Sequence, residues 1–298
     1  MRQLHNHTTR SVLAATLGHV FWGFSYLFTR VGQNYALPTQ LLAHRFTVAF
    51  LLLNIGLLLG KGSLHFRGKK LRPLFLLCLC ELSCFFFESY GLYYTNATIS
   101  GIFMAASPIA AIVLSVVFLK EYPTRAQAIF CLFPIVGVII ISLSGNSLGT
   151  VSVLGIFLLL LYCFSSGAYK TVNRSASDDF TPFERTYALL GCCSVTFTLV
   201  TLVQLKGNFA AFVEPFTHPQ FTLSILALGV FCSIAANILV NYGSGDISVT
   251  KMATLGAVTT VCSTFAGIVF LHEPFNLSIL LGAALILVGV WLVTTQGK

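Results

Sequence analysis

"FLKEYP" at residues 118–123 and "FLHEPF" at residues 270–275 decide how this chain folds. Each ends a long apolar run with Phe-Leu-x-Glu, and a proline follows closely, Pro123 or Pro274. "VGV" at 136–138 returns as "VGV" at 288–290, and both recurrences lie 152 residues apart. Each match is short, but a shared offset is the mark of internal duplication. A looser correspondence joins Gly23 with Gly167 and Arg30 with Arg174 at an offset of 144, so the halves differ by a small insertion.

Outward from these hairpins the chain is almost entirely apolar. Of 298 residues, 56% are hydrophobic and 9% charged, against about 25% charged in ordinary soluble domains. That excludes a soluble globular protein. Apolar runs cover 12–31, 38–60, 72–95, 99–119, 126–145, 151–170, 183–205, 221–242, 248–271 and 275–295, each long enough for a hydrocarbon core about 30 Å thick. The runs are continuous rather than alternating, which predicts helices and not barrel strands. The expected fold is an all-α integral membrane protein of ten transmembrane helices, built as two inverted five-helix repeats, 12–145 and 151–295. The opening "MRQLHNHTTRS" has the basic start of a signal peptide. The apolar run after it is too long for a signal core and lacks a small-residue cleavage site, so a retained helix is expected.

The net charge of +8 is placed for topology and not for nucleic acid. With a cytoplasmic N-terminus, the inner ends and loops collect Arg2, Arg10, Lys61, Arg67, Lys69, Lys70, Arg72, Lys120, Arg125, Lys170, Arg174, Arg185, Lys251 and Lys298. The outer loops hold only Arg30 and Lys206. Positive charge inside puts both termini in the cytoplasm, and the basic loop 61–72 either touches anionic lipid heads or only fixes topology. Five helices per half make the second half enter from the opposite side. Inverted repeats of this kind serve secondary transporters, with cargo bound near the midplane. All nine cysteines fall in apolar runs without C-x-x-C spacing, so they read as small buried hydrophobes and not as metal or redox ligands. The chain carries no H-E-x-x-H, G-x-S-x-G or P-loop. Neither an enzyme nor direct ATP coupling is expected, and no cofactor or metal.

"HVFWGFSYLFTR" (19–30), "LLAHRFTVAFLLL" (41–53) and "GLYYTNATISGIFMAASPIAAIVLSVVFLKEYPT" (91–124) resemble the EamA-type drug/metabolite transporter (DMT) superfamily. "FLHEPFNLSILLGAALILVGVWLV" (270–293) resembles its second repeat. The shared features are Trp-Gly in the first helix, Arg-Phe in the second, a proline in the fourth and the Leu-x-Glu hairpins. The resemblance covers essentially the whole chain. It implies a ten-helix carrier of small metabolites, often an exporter of amino acids or related compounds, in a plasma membrane. A central cavity lined by helices 1, 3, 4, 6, 8 and 9 is implied with it.

Polar residues inside the runs are the candidate site. "CELSCFFFESYG" at 80–91 carries Glu81 and Glu88. Seven residues make about two turns, so both acids share one stripe with Cys84, roughly 10 Å apart in depth. Ionisable groups at this depth mark function. Arg45 lies at the depth of Glu88, which predicts an Arg45–Glu88 ion pair, serving either the site or the docking of helices 2 and 3. Glu81 has no partner at its depth; it carries a coupling proton, binds a cationic group of the cargo, or packs in its protonated form. His19 and Trp22, one turn apart, offer a proton relay and an aromatic wall, or plain packing. His44 points about 100° away from Arg45 and is left out. Asn237 and Asn241 share a face of helix 8, either as the uncharged half of the cavity or as interhelical hydrogen bonds. Pro108 and Pro134 interrupt helices 4 and 5. Glu121 and Glu273 are read as hairpin hydrogen-bonding residues, Asp178, Asp179 and Glu184 as a solvated loop, and Asp246 as the cap of helix 9. The partners expected are a small-molecule substrate and membrane lipids; a homo-oligomer is left open. Other readings are a facilitator or exchanger for nucleotide-sugar or lipid-like cargo and, outside transport, an intramembrane enzyme or scaffold.

Overall fold

The structure, a computed structural model, describes residues 2–94, 107–143, 152–272 and 277–295. Among the described residues all regular structure is helical. The principal segments are α1 (Arg2–Gly32), α2 (Pro38–Leu58), α3 (Arg72–Tyr93), α4 (Ser107–Leu119), α5 (Arg125–Ile141), α6 (Val153–Ala176), α7 (Pro182–Gln204), α8 (Pro219–Asp246), α9 (Val249–Phe270) and α10 (Leu277–Thr295).

Local chemistry sets their ends. Pro38, Pro182 and Pro219 open α2, α7 and α8, where a missing N–H is harmless and φ is already helical. Thr124 with Gln127 and Thr181 with Glu184 form reciprocal capping boxes at α5 and α7. Two expectations are corrected here. The cap of α9 is Ser248, which accepts the Lys251 amide, because Asp246 instead accepts a hydrogen bond from Ser11 Oγ at 2.5 Å. Glu184 is not in a solvated loop; it is fully buried, held by its capping box, the His65 amide and Lys69 Nζ at 2.9 Å.

Among the described residues, seven helices are long and apolar enough to cross a membrane: α1 from Thr8, α2, α6, α7, α8, α9 and α10. Seven of the ten spans expected meet this measure among the described residues. α3, with 22 residues, carries Glu81 and Glu88 and is not among the seven. α4 and α5 are shorter apolar helices, flanked by residues 95–106 and 144–151, which lie outside the described part. The exterior is apolar to match: Phe75, Phe118 and Trp291 are 68%, 71% and 64% exposed. In water such a surface would aggregate, whereas lipid tails solvate it.

The helices pair reciprocally. α3 packs on α6 and α1 on α8, while α2 packs on α7 and α5 on α10; α1 also packs on α9. Exchanging each helix for the one five places on turns the first pair into the second and leaves the other two unchanged. Glycine contacts repeat the pattern in detail. A Cβ on Gly23 would sit 2.3 Å from Cys262 Cβ, and one on Gly167 3.1 Å from Ala110 Cβ. The glycines are 144 residues apart and their partners 152, the two offsets present in the sequence. Lys120 and His272, also 152 apart, both take left-handed backbone at φ 55° and end α4 and α9.

Candidate functional site

α3 turns one face inward. Leu74, Leu77, Cys78 and Cys84 are buried, while Phe75, Leu79 and Phe86 point outward. At 100° per residue, Glu81 and Glu88 fall on the buried stripe, yet both are only half-buried. Part of each residue is therefore left accessible. Among the described residues neither carboxylate makes a hydrogen bond or an ion pair.

The wall facing them comes from α6. Ser152 N donates to Tyr94 O at 3.1 Å and Gly91 lies against Leu159, so α6 descends as α3 rises. Tyr162, Ser166 and Lys170 recur every four residues on α6 and share a face. Antiparallel packing sets Tyr162 toward Glu88 and Lys170 toward Glu81, the latter pair near enough for their charges to interact through space. Lys170 Nζ donates to Ser166 Oγ at 2.7 Å and, among the described residues, to no carboxylate within 4.0 Å. The topology-setting role read for Lys170 is thereby corrected. The apolar run stops at Lys170, but α6 continues to Ala176 and keeps the ammonium inside the bundle.

Arg45, 7% exposed, does not form the expected ion pair with Glu88. Its guanidinium donates from Nε to Ser233 Oγ at 2.7 Å and from Nη2 to Cys232 O at 3.0 Å. The cause is the backbone of α8, which is π-helical over Leu228–Ala235. There the Ala236 amide, the ordinary α-helical donor to Cys232 O, bonds Phe231 O and Ser233 O instead, and Arg45 fills the vacancy. Glu81 and Glu88 remain within electrostatic reach of this charge. His44 Nε2 donates to Phe212 O at 2.8 Å and fastens the connection before α8 to α2.

On α1, His19 is 3% exposed and meets Trp22 edge-on with ring centroids 5.2 Å apart. Thr259 Oγ1 lies 3.4 Å from His19 Nδ1 and 3.2 Å from its carbonyl, while Nε2 has no partner among the described residues. Asn237 is similar: Nδ2 donates to Ser233 O at 2.8 Å, and the buried Oδ1 is unpartnered. Buried polar atoms without partners are uncommon and point to a missing ligand or water.

Asn241 has no such vacancy. Its Oδ1 accepts from Asn173 Nδ2 at 2.8 Å and its Nδ2 donates to Thr186 Oγ1 at 2.9 Å. Arg185, 1% exposed, completes the network through Asn173 O, Asn173 Oδ1, Ser244 Oγ and Asn241 O. Of the two roles left open for Asn241, this geometry favours interhelical bonding. Glu121 accepts from Arg174 Nε at 3.2 Å and the Val249 amide at 3.1 Å, the hairpin role expected of it. Glu273 lies outside the described residues. A cleft of about 310 Å³ between α2, α3 and α7, lined by Leu42, Phe86, Tyr90 and Val200 among others, lies on the face of α3 away from the carboxylates.

The family model for EamA-like transporters matches residues 9–143 and 153–295. The uncharacterized transporter YcxC of Bacillus subtilis is 34% identical over 286 residues, covering 95% of this chain and 92% of that one. The uncharacterized transporter YvbV of the same bacterium is 29% identical over 308 residues, with 100% and 95% covered. An uncharacterized transporter of Archaeoglobus fulgidus is 23% identical over 288 residues, with 96% and 98% covered. A protein crystal structure at 18% identity superposes with a TM-score of 0.79, covering 95% of this chain and 96% of the other, a likeness of fold alone.

Proposed function

The chain belongs to the EamA-like transporter family, a multi-pass membrane transporter, and we propose that it is a secondary carrier exporting amino acids or related small metabolites. In this reading two inverted five-helix units, 12–145 and 151–295, rock about a site between them. Both termini are cytoplasmic in a plasma membrane. Glu81 exchanges the coupling proton or holds the cationic group of the cargo; Glu88, His19, Trp22 and Asn237 line the same space. Asn241 supports the site from behind, and no step is enzymatic.

One observation carries this reading. Two carboxylates face the interior of a membrane bundle, half-buried and unpaired among the described residues, opposite an ammonium that no carboxylate touches. Intramembrane charge is costly and normally paired unless it meets water or cargo. The reciprocal helix pairing supports alternating access, since two like units around one site can exchange inner and outer openings.

Flux of radiolabelled amino acids in proteoliposomes, with and without an imposed pH gradient, tests the reading. Wild type is expected to respond to the gradient, and Glu81→Gln to lose that response while keeping downhill exchange. Flux that ignores the gradient makes the protein a facilitator or exchanger and gives Glu81 to binding or packing. Absence of amino-acid flux removes this cargo class.

A further inference from the structure

We propose that Lys170 and Ser166 form a carboxylate-binding subsite on α6, set across from Glu81, which takes the cationic group of the same cargo. The inference rests on the carrier reading for its purpose and on side-chain placement for its substance.

The first support is unused bonding capacity. A lysine ammonium has three donors, and Lys170 spends one on Ser166 Oγ. Glu81 spends none of its acceptors among the described residues. In a membrane interior opposite charges close into contact unless something stands between them. Here they face each other from antiparallel helices without touching. A ligand bearing both a carboxylate and an ammonium bridges the gap and satisfies both sides.

The second is an asymmetry between the halves. By the two sequence offsets, Ser166 corresponds to Trp22, Glu81 to Ser233 and Glu88 to Val240. Charge is thus confined to the wall made by α3 and α6, with Arg45 beside it but committed to α8. The wall across from it, from α1 and α8, is uncharged and offers an indole edge, a histidine, the Asn237 amide and aliphatic surface. A cargo with a zwitterionic head and an apolar body fits such a site in one orientation.

Charge balance is the third. The site holds Arg45 and Lys170 against Glu81 and Glu88. A zwitterion adds no net charge to this set, whereas a plain anion or cation leaves one charge unmatched in a medium that penalises it.

The test uses the purified full-length protein in detergent and three probes: L-leucine, 4-methylpentanoate, which lacks the ammonium, and isoamylamine, which lacks the carboxylate. Binding is read from ligand-dependent shifts of the thermal midpoint. Wild type is expected to respond to both carboxylates. Lys170→Gln should weaken both by roughly tenfold or more, the loss of a charge-assisted hydrogen bond, and leave isoamylamine unaffected. Glu81→Gln should lose isoamylamine and retain 4-methylpentanoate. Lys170→Arg should keep carboxylate binding. Should Lys170→Gln not fold, Ser166→Ala gives the decisive comparison and should weaken the carboxylates selectively. Equal carboxylate binding in wild type and variants, or none in wild type, overturns the proposal. Flux that persists alongside that result leaves the carrier reading intact. Selective loss of carboxylate binding without flux in wild type would sink the carrier reading alone.

Discussion

Arg45 Nε donates to Ser233 Oγ at 2.7 Å while Nη2 donates to the neighbouring Cys232 carbonyl, so this buried charge holds the π-helical turn of α8 against α2. Hydrogen bonds to a charged group contribute about 1.5–3 kcal/mol each. Arg45→Gln is therefore expected to lower unfolding stability by roughly 3 kcal/mol or more, and Ser233→Ala by about half of that. Denaturation in detergent micelles measures both, and a double-mutant cycle should show the two residues strongly coupled. Exchanging Arg45 and Glu88 should rescue nothing; recovery on exchange would restore the direct ion pair.

Asn241 and Asn237 sit one turn apart on α8 and should respond differently. Asn241→Ala strips partners from Asn173 and Thr186 and exposes the Arg185 network to unsatisfied groups, at about 2–3 kcal/mol. Asn237→Ala removes one bond to the Ser233 carbonyl and leaves an unpartnered oxygen absent, at under about 1 kcal/mol. Heating followed by size-exclusion chromatography should show Asn241→Ala aggregating early. Asn237→Ala should stay monodisperse and show its defect in flux per folded molecule.

Glu184 ties the basic loop to the start of α7 through His65 N and Lys69 Nζ. Glu184→Ala removes the reciprocal half of the capping box, the bond from the Thr181 amide, together with both loop contacts, and leaves the Thr181 cap in place. Glu184→Gln keeps an acceptor at the cap and loses the ion pair. Limited trypsinolysis at Arg67, Lys69 and Lys70 should speed up in the order wild type, Gln, Ala. Equal rates in all three proteins would mean that the loop is held elsewhere.

The duplication was legible because it is written in glycines and hairpins. Gly23 on Cys262 and Gly167 on Ala110 realise the two offsets as contacts, and the stripe joining Glu81 to Glu88 followed from helical period alone. Lys170 was misplaced because charge statistics assign lysine to membrane edges. A run of hydropathy that stops at Lys170 gives no sign that α6 goes on for another turn and a half. The four-residue spacing of Tyr162, Ser166 and Lys170 was the available signal. Arg45 was given the wrong partner. Depth follows from counting residues, whereas the freed carbonyl of Cys232 depends on a π-helical turn that residue spacing does not encode.

The seam between α5 and α10 gives a prediction that opposes two glycines to a third. A Cβ on Gly137 would meet Gly282 O at 2.5 Å, and one on Gly289 would meet Pro134 Cδ at 2.3 Å. The first obstacle is backbone and the second a rigid ring, so neither yields by a change of rotamer. Small residues let membrane helices approach this closely. Gly137→Ala and Gly289→Ala should each force the helices apart, destabilising by about 1–3 kcal/mol as overpacking does. Gly56 in α2 has nothing within 4 Å of its Cβ position. Gly56→Ala should therefore stabilise by about 0.5–1 kcal/mol through helix propensity alone. Thermal midpoints of the three variants in one detergent decide the matter. If Gly137→Ala and Gly56→Ala shift in the same direction, close packing of α5 on α10 is not what holds that seam.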